Sequence, residues 1–225
     1  MTALVVIAKA CIPGRVKTRL VPPLSFEQAA DLAAACLADT LSAMRELDVE
    51  RRILYFDGTV DEMPPEAAGF EFVPQVGGGL DQRLGHIFDL CSGSPMVMIG
   101  MDTPQVTADD LAPMLDGAVH EDGADAWFGG ARDGGYWALG MTRPDGSLIR
   151  GVQMSVTDTG RLQLARLVDA GLRVEQLATL IDVDYASDAL DVAAIAPHTL
   201  FASRVRELVG TGVLDSDGFD ASEAS

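Results

Sequence analysis

Apolar residues along the chain follow two patterns, one typical of buried strands and the other of amphipathic helices. Residues 3–8 form an apolar run that alternates too little for a half-exposed strand, so it predicts a buried, parallel strand. A helix is expected to begin at Ser25, because Gln28 stands three residues later in a capping-box pattern. Apolar positions then recur at helical spacing from Phe26 to Met44. The first pair of elements is therefore a strand followed by a helix.

The same order continues through the rest of the chain. Strands or extended segments are predicted at 52–56, 70–73, 96–99, 124–128, 136–139, 172–177 and 180–184. Helices are predicted at 80–90, after a Thr107–Asp110 cap, and at 158–170, 187–195 and 198–209. This alternation predicts the α/β class, as a three-layer αβα sandwich with a mainly parallel, Rossmann-like sheet. Ligands of such sheets bind beyond the carboxyl ends of the strands.

The length of 225 residues fits one α/β domain. We expect that domain to span 1–209 and a disordered acidic tail to span 210–225. No apolar run reaches the roughly 20 residues needed to span a bilayer. The apolar N-terminus has no basic leader and Lys9 interrupts it early, which favours a cytoplasmic protein over a secreted one.

Charge is distributed unevenly along the chain. The formal net charge of −18 argues against a nucleic-acid-binding protein. Yet the only two lysines, Lys9 and Lys17, lie in one early loop together with Arg15 and Arg19. Because salt screens charges beyond roughly 8 Å, this loop is either a local anion site or a solvated charged loop.

Two common phosphate-binding motifs are excluded. Lys17-Thr18 resembles part of a P-loop, but Val16 stands where that motif requires Gly. Gly77-x-Gly79 supplies two glycines of a dinucleotide fingerprint, but Gln82 replaces the third.

Carboxylates follow two of the predicted strands. Asp102 comes directly after a buried strand and is placed to hold a metal against a pyrophosphate, or else to cap a turn. Asp182 and Asp184 share one face of an extended segment, so Asp184 can bring a second carboxylate to the same metal. The alternative is that one of these two caps the helix after Tyr185.

A fourth candidate is Asp133-Gly134-Gly135-Tyr136. Paired glycines permit close backbone approach to a ligand, although Asp-Gly is also a common signal of a hairpin turn.

Taken in order, these segments resemble DUF2064, a family of uncharacterised glycosyltransferase-like proteins related to 2-phospho-L-lactate guanylyltransferase and molybdenum cofactor guanylyltransferase. The resemblance spans roughly residues 4–195 and rests on residues 8–20 (AKACIPGRVKTRL), Gly77-Gly78-x-Leu80-x-x-Arg83, Gly100-x-Asp102-x-Pro104, Asp133-Gly134-Gly135-Tyr136 and Asp182-Val183-Asp184. Cys11 stands where the family usually has Pro, and Gly79, Asp81 and Gln82 replace a usual Asp, Gly and Glu.

The resemblance implies the GT-A, or nucleotide-diphospho-sugar transferase, fold. It implies that Lys17, with Arg15 or Arg19, contacts nucleotide phosphates, and that Asp102 and Asp184 hold Mg²⁺ or Mn²⁺. The predicted nucleotide-binding residues are Ala8, Lys9, Gly14, Arg15, Lys17, Arg19, Gln75, Gly78 and Arg83. The predicted sugar or acceptor residues are Asp133, Gly134, Gly135 and Tyr136.

Three functions are compatible with this site. The first is a metal-dependent transferase that moves a glycosyl group from a nucleotide sugar to a small acceptor, with Lys17 and Asp133 as catalytic residues and Asp133 as general base. The second is a nucleotidyltransferase that uses a nucleoside triphosphate and releases pyrophosphate. The third is a non-catalytic nucleotide-binding protein. No nucleic acid and no membrane span are expected, and a homodimer is a possible assembly.

Overall fold

The computed structural model describes residues 2–117 and 123–214. Its centre is a seven-stranded sheet. The strands are β1 (Ala3–Lys9), β2 (Arg51–Asp57), β3 (Glu71–Pro74), β4 (Met96–Gly100), β5 (Ala126–Gly130), β6 (Tyr136–Met141) and β7 (Val174–Gln176). The helices are α1 (Phe26–Arg45), α2 (Leu80–Leu90), α3 (Ala108–Gly117), α4 (Thr159–Asp169), α5 (Ala186–Ile195) and α6 (Leu200–Gly210).

The strands lie in the order β3-β2-β1-β4-β6-β5-β7. All neighbours pair in parallel except β6, which runs antiparallel to both β4 and β5. The α/β class and the mainly parallel sheet are therefore confirmed. Because β6 is inserted between β4 and β5, the hairpin turn between β5 and β6 reaches the same edge of the sheet as the loops after β1 and β4.

Both faces of the sheet are covered, as the alternation along β1 shows. Leu4 and Val6 pack into a core with residues of α1. Ala3 and Val5 pack on the opposite face with residues of α2 and α4. Side chains of a strand alternate between its two faces, so an apolar run in β1 supplies two cores at once. This is the expected three-layer sandwich.

The two predicted helix starts have the expected caps. The Ser25 hydroxyl accepts a hydrogen bond from the Gln28 amide at 3.2 Å, and the Gln28 side chain accepts one from the Ser25 amide at 2.8 Å. The Asp110 carboxylate accepts bonds from the Thr107 amide and hydroxyl at 2.8 and 2.7 Å. The bonds at Ser25 and Gln28 are reciprocal, whereas at Thr107 both bonds run to Asp110, and each set satisfies an amide that has no partner within the helix.

The carboxyl-terminal boundary differs from the expected one at residue 209. The last helix, α6, ends at Gly210, and a turn continues the described chain to Leu214. Leu214 is 2% exposed and packs in a third core, which joins α1, α5 and α6. A single apolar residue without periodicity gave no signal of this burial. The remaining part of the predicted tail, 215–225, lies outside the described residues.

Within the described residues, none of the helices has the length and apolar character needed to cross a membrane.

Candidate functional site

The cationic loop after β1 is fixed to the protein by two apolar residues. Val16 and Leu20 are fully buried, whereas Pro13, Gly14 and Arg15 are exposed at the tip of the loop. Burial of Val16 explains why the position cannot carry the Gly of a P-loop: it is an anchor of the loop in the core. The loop therefore presents an exposed tip on a rigid base.

Lys17 follows Val16 and adopts a left-handed backbone conformation, with φ 48° and ψ 37°. Only about a few per cent of residues other than glycine have a positive φ. The Lys17 side chain is 5% exposed, and its Nζ lies 2.8 Å from Asp102 Oδ1 and 3.3 Å from Asp184 Oδ1. Arg19 Nη1 lies 2.6 Å from Asp184 Oδ2. The cationic loop is thus joined to carboxylates from two other segments.

This arrangement differs from the expected role of Lys17. We expected its ammonium to be available to phosphates, whereas in the structure it is buried between Asp102 and Asp184. Burial by itself lowers the pKa of Lys17, but the two carboxylates raise it more, so the net pKa lies above the ordinary value. Lys17 is therefore a charged lysine that already has anionic partners.

The two carboxylates that were predicted to hold a metal have the Lys17 ammonium between them. Asp102 and Asp184 do converge, as predicted, but they converge on the Lys17 ammonium. Across the described chain, no group of three His, Cys, Asp or Glu side chains has the geometry to hold a metal ion. Mg²⁺ needs oxygen ligands at about 2.0–2.1 Å, and the ammonium lies between the two carboxylates that would supply them.

Two contacts across the molecule bring these carboxylates together. The Val183 amide donates to the Asp102 carbonyl oxygen at 3.0 Å. The side chain of Gln105 donates to the Ile181 carbonyl oxygen at 2.8 Å, and Gln105 is 8% exposed. The loop after β4 is therefore joined to residues 181–183. Sequence reasoning missed Gln105, because a lone glutamine carries no periodic signal.

Asp182 is a site residue whose importance the sequence did not reveal. Its pKa is raised from 3.8 to about 7, chiefly by burial and then by the charges of Asp102, Asp133 and Asp184, while Lys17 acts in the opposite direction. Its carboxylate makes no hydrogen bond or ion pair with any described residue. The one available signal was its position two residues before Asp184, on the same face of an extended segment.

The alternative role considered for this acidic segment was helix capping. That role belongs to Asp188, whose carboxylate accepts hydrogen bonds from the amides of Asp184 and Tyr185 at 3.2 and 2.8 Å. The carboxylates of Asp182 and Asp184 are therefore not used as caps of α5.

Asp133 lies in the β5–β6 hairpin turn and is exposed. Its Oδ1 accepts a hydrogen bond from the Gly135 amide at 2.8 Å, so the turn is stabilised locally. The second oxygen has no partner among the described residues. Because Asp133 raises the pKa of Asp182, the two carboxylates lie at one edge of the sheet.

The paired glycines approach the protein's own backbone. Gly134 has φ 89°, and a Cβ there would overlap the carbonyl oxygen of Thr157. The Gly160 amide also donates to the Gly134 carbonyl at 2.8 Å. We expected Gly134 and Gly135 to admit a ligand; the close approach is instead to the segment that begins α4.

Tyr136 also differs from the expectation. Its ring packs on Phe128 with centroids 5.5 Å apart, and its hydroxyl is buried without a partner among the described residues. Burial raises the pKa of the Tyr136 hydroxyl. Tyr136 was expected to face the sugar or acceptor, whereas its side chain packs against the core that contains residues of α2 and α4.

Three predicted nucleotide-binding residues meet beside the charged cluster. The Gln75 side chain donates to the carbonyl oxygens of Ala8 and Tyr55 at 2.8 and 3.0 Å. Arg83 Nη1 donates to Gln75 Oε1 at 2.9 Å and lies 3.7 Å from Asp57 Oδ2. Gln75 therefore positions Arg83 at the ends of β1 and β2.

The remaining predicted residues lie around these two groups. Gly78 is exposed with φ 107°, a conformation that favours glycine, and precedes α2. Lys9 is exposed at the end of β1, and Gly14 has φ 76° at the loop tip. Lys9, Arg15 and Arg19 are the accessible cations of this region.

A sequence model of the family described as "Uncharacterized protein conserved in bacteria (DUF2064)" matches residues 40–156, just over half of the chain. The chain belongs to the DUF2064 family. The matched range includes Asp102 and the Asp133 turn, whereas the Lys17 loop and Asp184 lie outside it. A search of curated proteins finds none that matches the chain.

Several solved structures share the fold of this DUF2064 protein. One, from Desulfovibrio desulfuricans G20 and provisionally described as a nucleotide-diphospho-sugar transferase, has a TM-score of 0.83 at 23% identity over 97% of this chain and 99% of that one. A cytidylyltransferase from Leptospira borgpetersenii serovar Hardjo-bovis (strain JB197) has a TM-score of 0.58 at 12% identity, covering 97% and 98%. CMP:2-keto-3-deoxy-manno-octonic acid synthetase complexed with CTP has a TM-score of 0.57 at 13% identity, covering 88% and 99%. At these identities the likeness shows the nucleotide-diphospho-sugar transferase fold, as expected, and not an activity.

Proposed function

We propose that this protein is a transferase that uses a nucleotide-activated donor, and that it moves a glycosyl group from a nucleotide sugar to a small acceptor. One observation carries the proposal: Lys17, Arg19, Asp102 and Asp184 meet at the carboxyl ends of β1 and β4. That edge is where parallel α/β sheets bind ligands. The Gln75–Arg83 pair lies at the neighbouring strand ends and offers a second polar surface for the nucleotide.

The accessible cations are suited to the diphosphate of the donor. Lys9 and Arg15 are exposed, and the Arg19 side chain is 56% exposed. Cationic side chains bind phosphate oxygens by charge-assisted hydrogen bonds. In glycosyl transfer they would stabilise the negative charge that accumulates on the leaving nucleoside diphosphate.

Asp133 is the proposed general base for the acceptor hydroxyl. It is exposed at the edge of the same crevice, and one carboxylate oxygen remains without a protein partner among the described residues. A general base must reach the proton that it removes. The hairpin turn holds Asp133 in a fixed orientation, so an acceptor can meet it without movement of the strand ends.

Mg²⁺ or Mn²⁺ would be held by Asp102 and Asp184 and would supply positive charge to the leaving diphosphate. The roles described above belong to the chain's own residues.

Nucleotidyl transfer is the second candidate function. It is favoured by the two nucleotidyltransferases among the structures of like fold, one of which was solved with CTP. The cationic loop would then stabilise a leaving pyrophosphate. A non-catalytic nucleotide-binding protein is the third candidate, and it predicts binding without turnover.

Nucleotides and nucleotide sugars should first be screened by thermal shift, with and without Mn²⁺. A ligand present at 100 times its Kd stabilises a protein by about 2.7 kcal/mol, which is readily measured. Product analysis with the donors that bind then separates the candidates. Released nucleoside diphosphate supports glycosyl transfer, released pyrophosphate supports nucleotidyl transfer, and binding with no product supports the third candidate.

Asp133→Asn should abolish glycosyl transfer while nucleotide affinity is retained. Asp145→Asn is a matched control, because Asp145 Oδ1 accepts a hydrogen bond from the Ser147 amide at 2.8 Å in a similar turn elsewhere on the protein. Asparagine can accept the same turn hydrogen bond but cannot act as a base. Equal turnover by both variants would exclude Asp133 as the general base.

A further inference from the structure

We propose that Lys17 is the resident cation of the Asp102–Asp184 pair and competes with divalent metals for it. The inference deepens the proposed function, and the part of it that concerns nucleotides rests on that function. It follows from one observation: the two carboxylates are suited to bind a metal, but in the structure they bind a buried ammonium.

The geometry of the ammonium supports direct competition. Lys17 Nζ contacts one oxygen of Asp102 at 2.8 Å and one of Asp184 at 3.3 Å, and the lysine side chain is 5% exposed. A divalent ion bound by the same two oxygens would lie within a few ångströms of the ammonium. Two cations at that separation in a poorly solvated site repel strongly, so metal and lysine exclude one another.

The charges around the pair show why a cation is needed at all. Asp182 lies near the same carboxylates, since the charges of Asp102, Asp133 and Asp184 all raise its pKa. Arg19 balances part of the charge of Asp184, at 2.6 Å. Without Lys17, the carboxylates would repel one another and would attract a divalent ion in its place.

The position of Lys17 in the loop would also allow its ammonium to contact an anion bound at the loop tip. Its neighbours on both sides, Arg15 and Arg19, are exposed, and the tip of the loop faces solvent. An anionic ligand bound by these arginines would offer Lys17 a second anionic partner. In the proposed function, the nucleotide phosphates would draw Lys17 from the carboxylates and so increase the affinity for metal.

The direct test measures Mn²⁺ binding to the full chain without nucleotide, by titration followed with electron paramagnetic resonance. Lys17→Met should bind Mn²⁺ at least about fivefold more tightly than the wild type, the lower end of typical coupling between sites. Lys9→Met is the matched control, since Lys9 is the only other lysine, lies at the start of the same loop and is exposed. Its Mn²⁺ affinity should equal that of the wild type. Equal affinities of Lys17→Met and wild type would overturn the proposal.

A second measurement uses the wild-type protein and does not depend on the folding of a variant. Acylation of the two lysines by an amine-reactive reagent can be followed by mass spectrometry at constant pH. Mn²⁺ should increase the labelling rate of Lys17 and leave that of Lys9 unchanged. No change at Lys17 under saturating Mn²⁺ would overturn the proposal.

Repeating the Mn²⁺ titration with added nucleotide distinguishes a failure of this inference from a failure of the proposed function. Adding a nucleoside diphosphate should tighten Mn²⁺ binding to the wild type but not to Lys17→Met. If Lys17→Met gains Mn²⁺ affinity while the nucleotide has no effect on the wild type, Lys17 is the resident cation and the proposed function is wrong.

Discussion

The two ends of the central sheet use the same residue types in different ways. Near the amino ends of β4 and β5, Arg150 pairs with Asp89 and Arg173 pairs with Asp125, around an open cavity of about 510 Å³. Asp89 and Asp125 each have an arginine of their own. At the opposite end, Lys17 is shared by two carboxylates, and Asp182 forms no ion pair within the described parts of the chain. Exposed one-to-one pairs stabilise a surface modestly, whereas an excess of buried carboxylates costs stability and indicates a binding site.

The largest expected effect on stability comes from removing Lys17, the cation that two carboxylates share. Lys17→Met should lower the free energy of unfolding by about 2–3 kcal/mol at neutral pH, because Asp102 and Asp184 lose their buried partner. Breaking a fully buried pair costs about 3–5 kcal/mol, and the lower value reflects the 39% exposure of Asp102. Urea denaturation measures the change.

Lys9→Met serves as the control, with an expected change within about 0.5 kcal/mol, as for an ordinary surface substitution. An equal effect of both variants would mean that Lys17 stabilises the protein only through its net charge.

The second effect concerns Asp182 and has a defined pH dependence. Because its pKa is raised from 3.8 to about 7 in the folded protein, the folded state holds a proton that the unfolded state has lost between those values. Stability therefore falls as pH rises through this window. Asp182→Asn removes the ionisation and should be more stable than the wild type by about 2 kcal/mol above pH 7, about half of what a three-unit shift allows.

Urea unfolding at about pH 4 and about pH 8 provides the comparison for Asp182→Asn. The gain should be largely lost at the lower pH, where the folded wild type is protonated and a large part of the unfolded wild type is protonated as well. A gain of the same size at both values would show that packing, and not charge, causes it.

The smallest effect is expected at the other end of the sheet. Arg173 Nε donates to Asp125 Oδ2 at 2.9 Å, and this partner lowers the pKa of Asp125 to about 2. The pair therefore contributes stability above the unfolded pKa of 3.8, and this contribution is lost as pH falls towards 2. Asp125→Asn should cost only about 1 kcal/mol at neutral pH, because the pair is partly exposed and screened.

Salt distinguishes the two ends in the same experiment. The cost of Asp125→Asn should shrink in about 1 M salt, where the Debye length is about 3 Å. The cost of Lys17→Met should change much less, since the Lys17 side chain is only 5% exposed. If both costs fell equally, the contrast between a buried site and a surface pair would be wrong.

The elements of the fold could be predicted because each has a local signal. The capping box at Ser25 and Gln28 marked the start of α1, and the apolar run of β1 marked a strand that is buried on both faces. The order of the strands had no such signal. The insertion of β6 between β4 and β5 depends on pairings between distant segments, which no local pattern encodes.

The site was predictable as a set of residues and not as an arrangement. Asp102 and Asp184 converge as the family resemblance implied, but they converge on Lys17, which is 167 residues from Asp184 along the chain and has a left-handed backbone conformation. The backbone conformation at a lysine decides whether its side chain points outwards to a phosphate or inwards to a carboxylate. The direction of the Tyr136 side chain could not be predicted for a similar reason, because the register of the sheet decides which face of β6 carries it.

The contact between Gly134 and Thr157 joins the turn that carries Asp133 to the beginning of α4. Gly160, in the first turn of α4, lies so close to Gly135 that a side chain there would meet its carbonyl oxygen. A shift of the β5–β6 turn would therefore require a shift of α4 as well. Gly160→Ala would displace Asp133 and so alter the proposed transfer, although residue 160 itself lies in the helix and not in the turn. Position 160 links the proposed site at one edge of the sheet to the packing of a helix on its face.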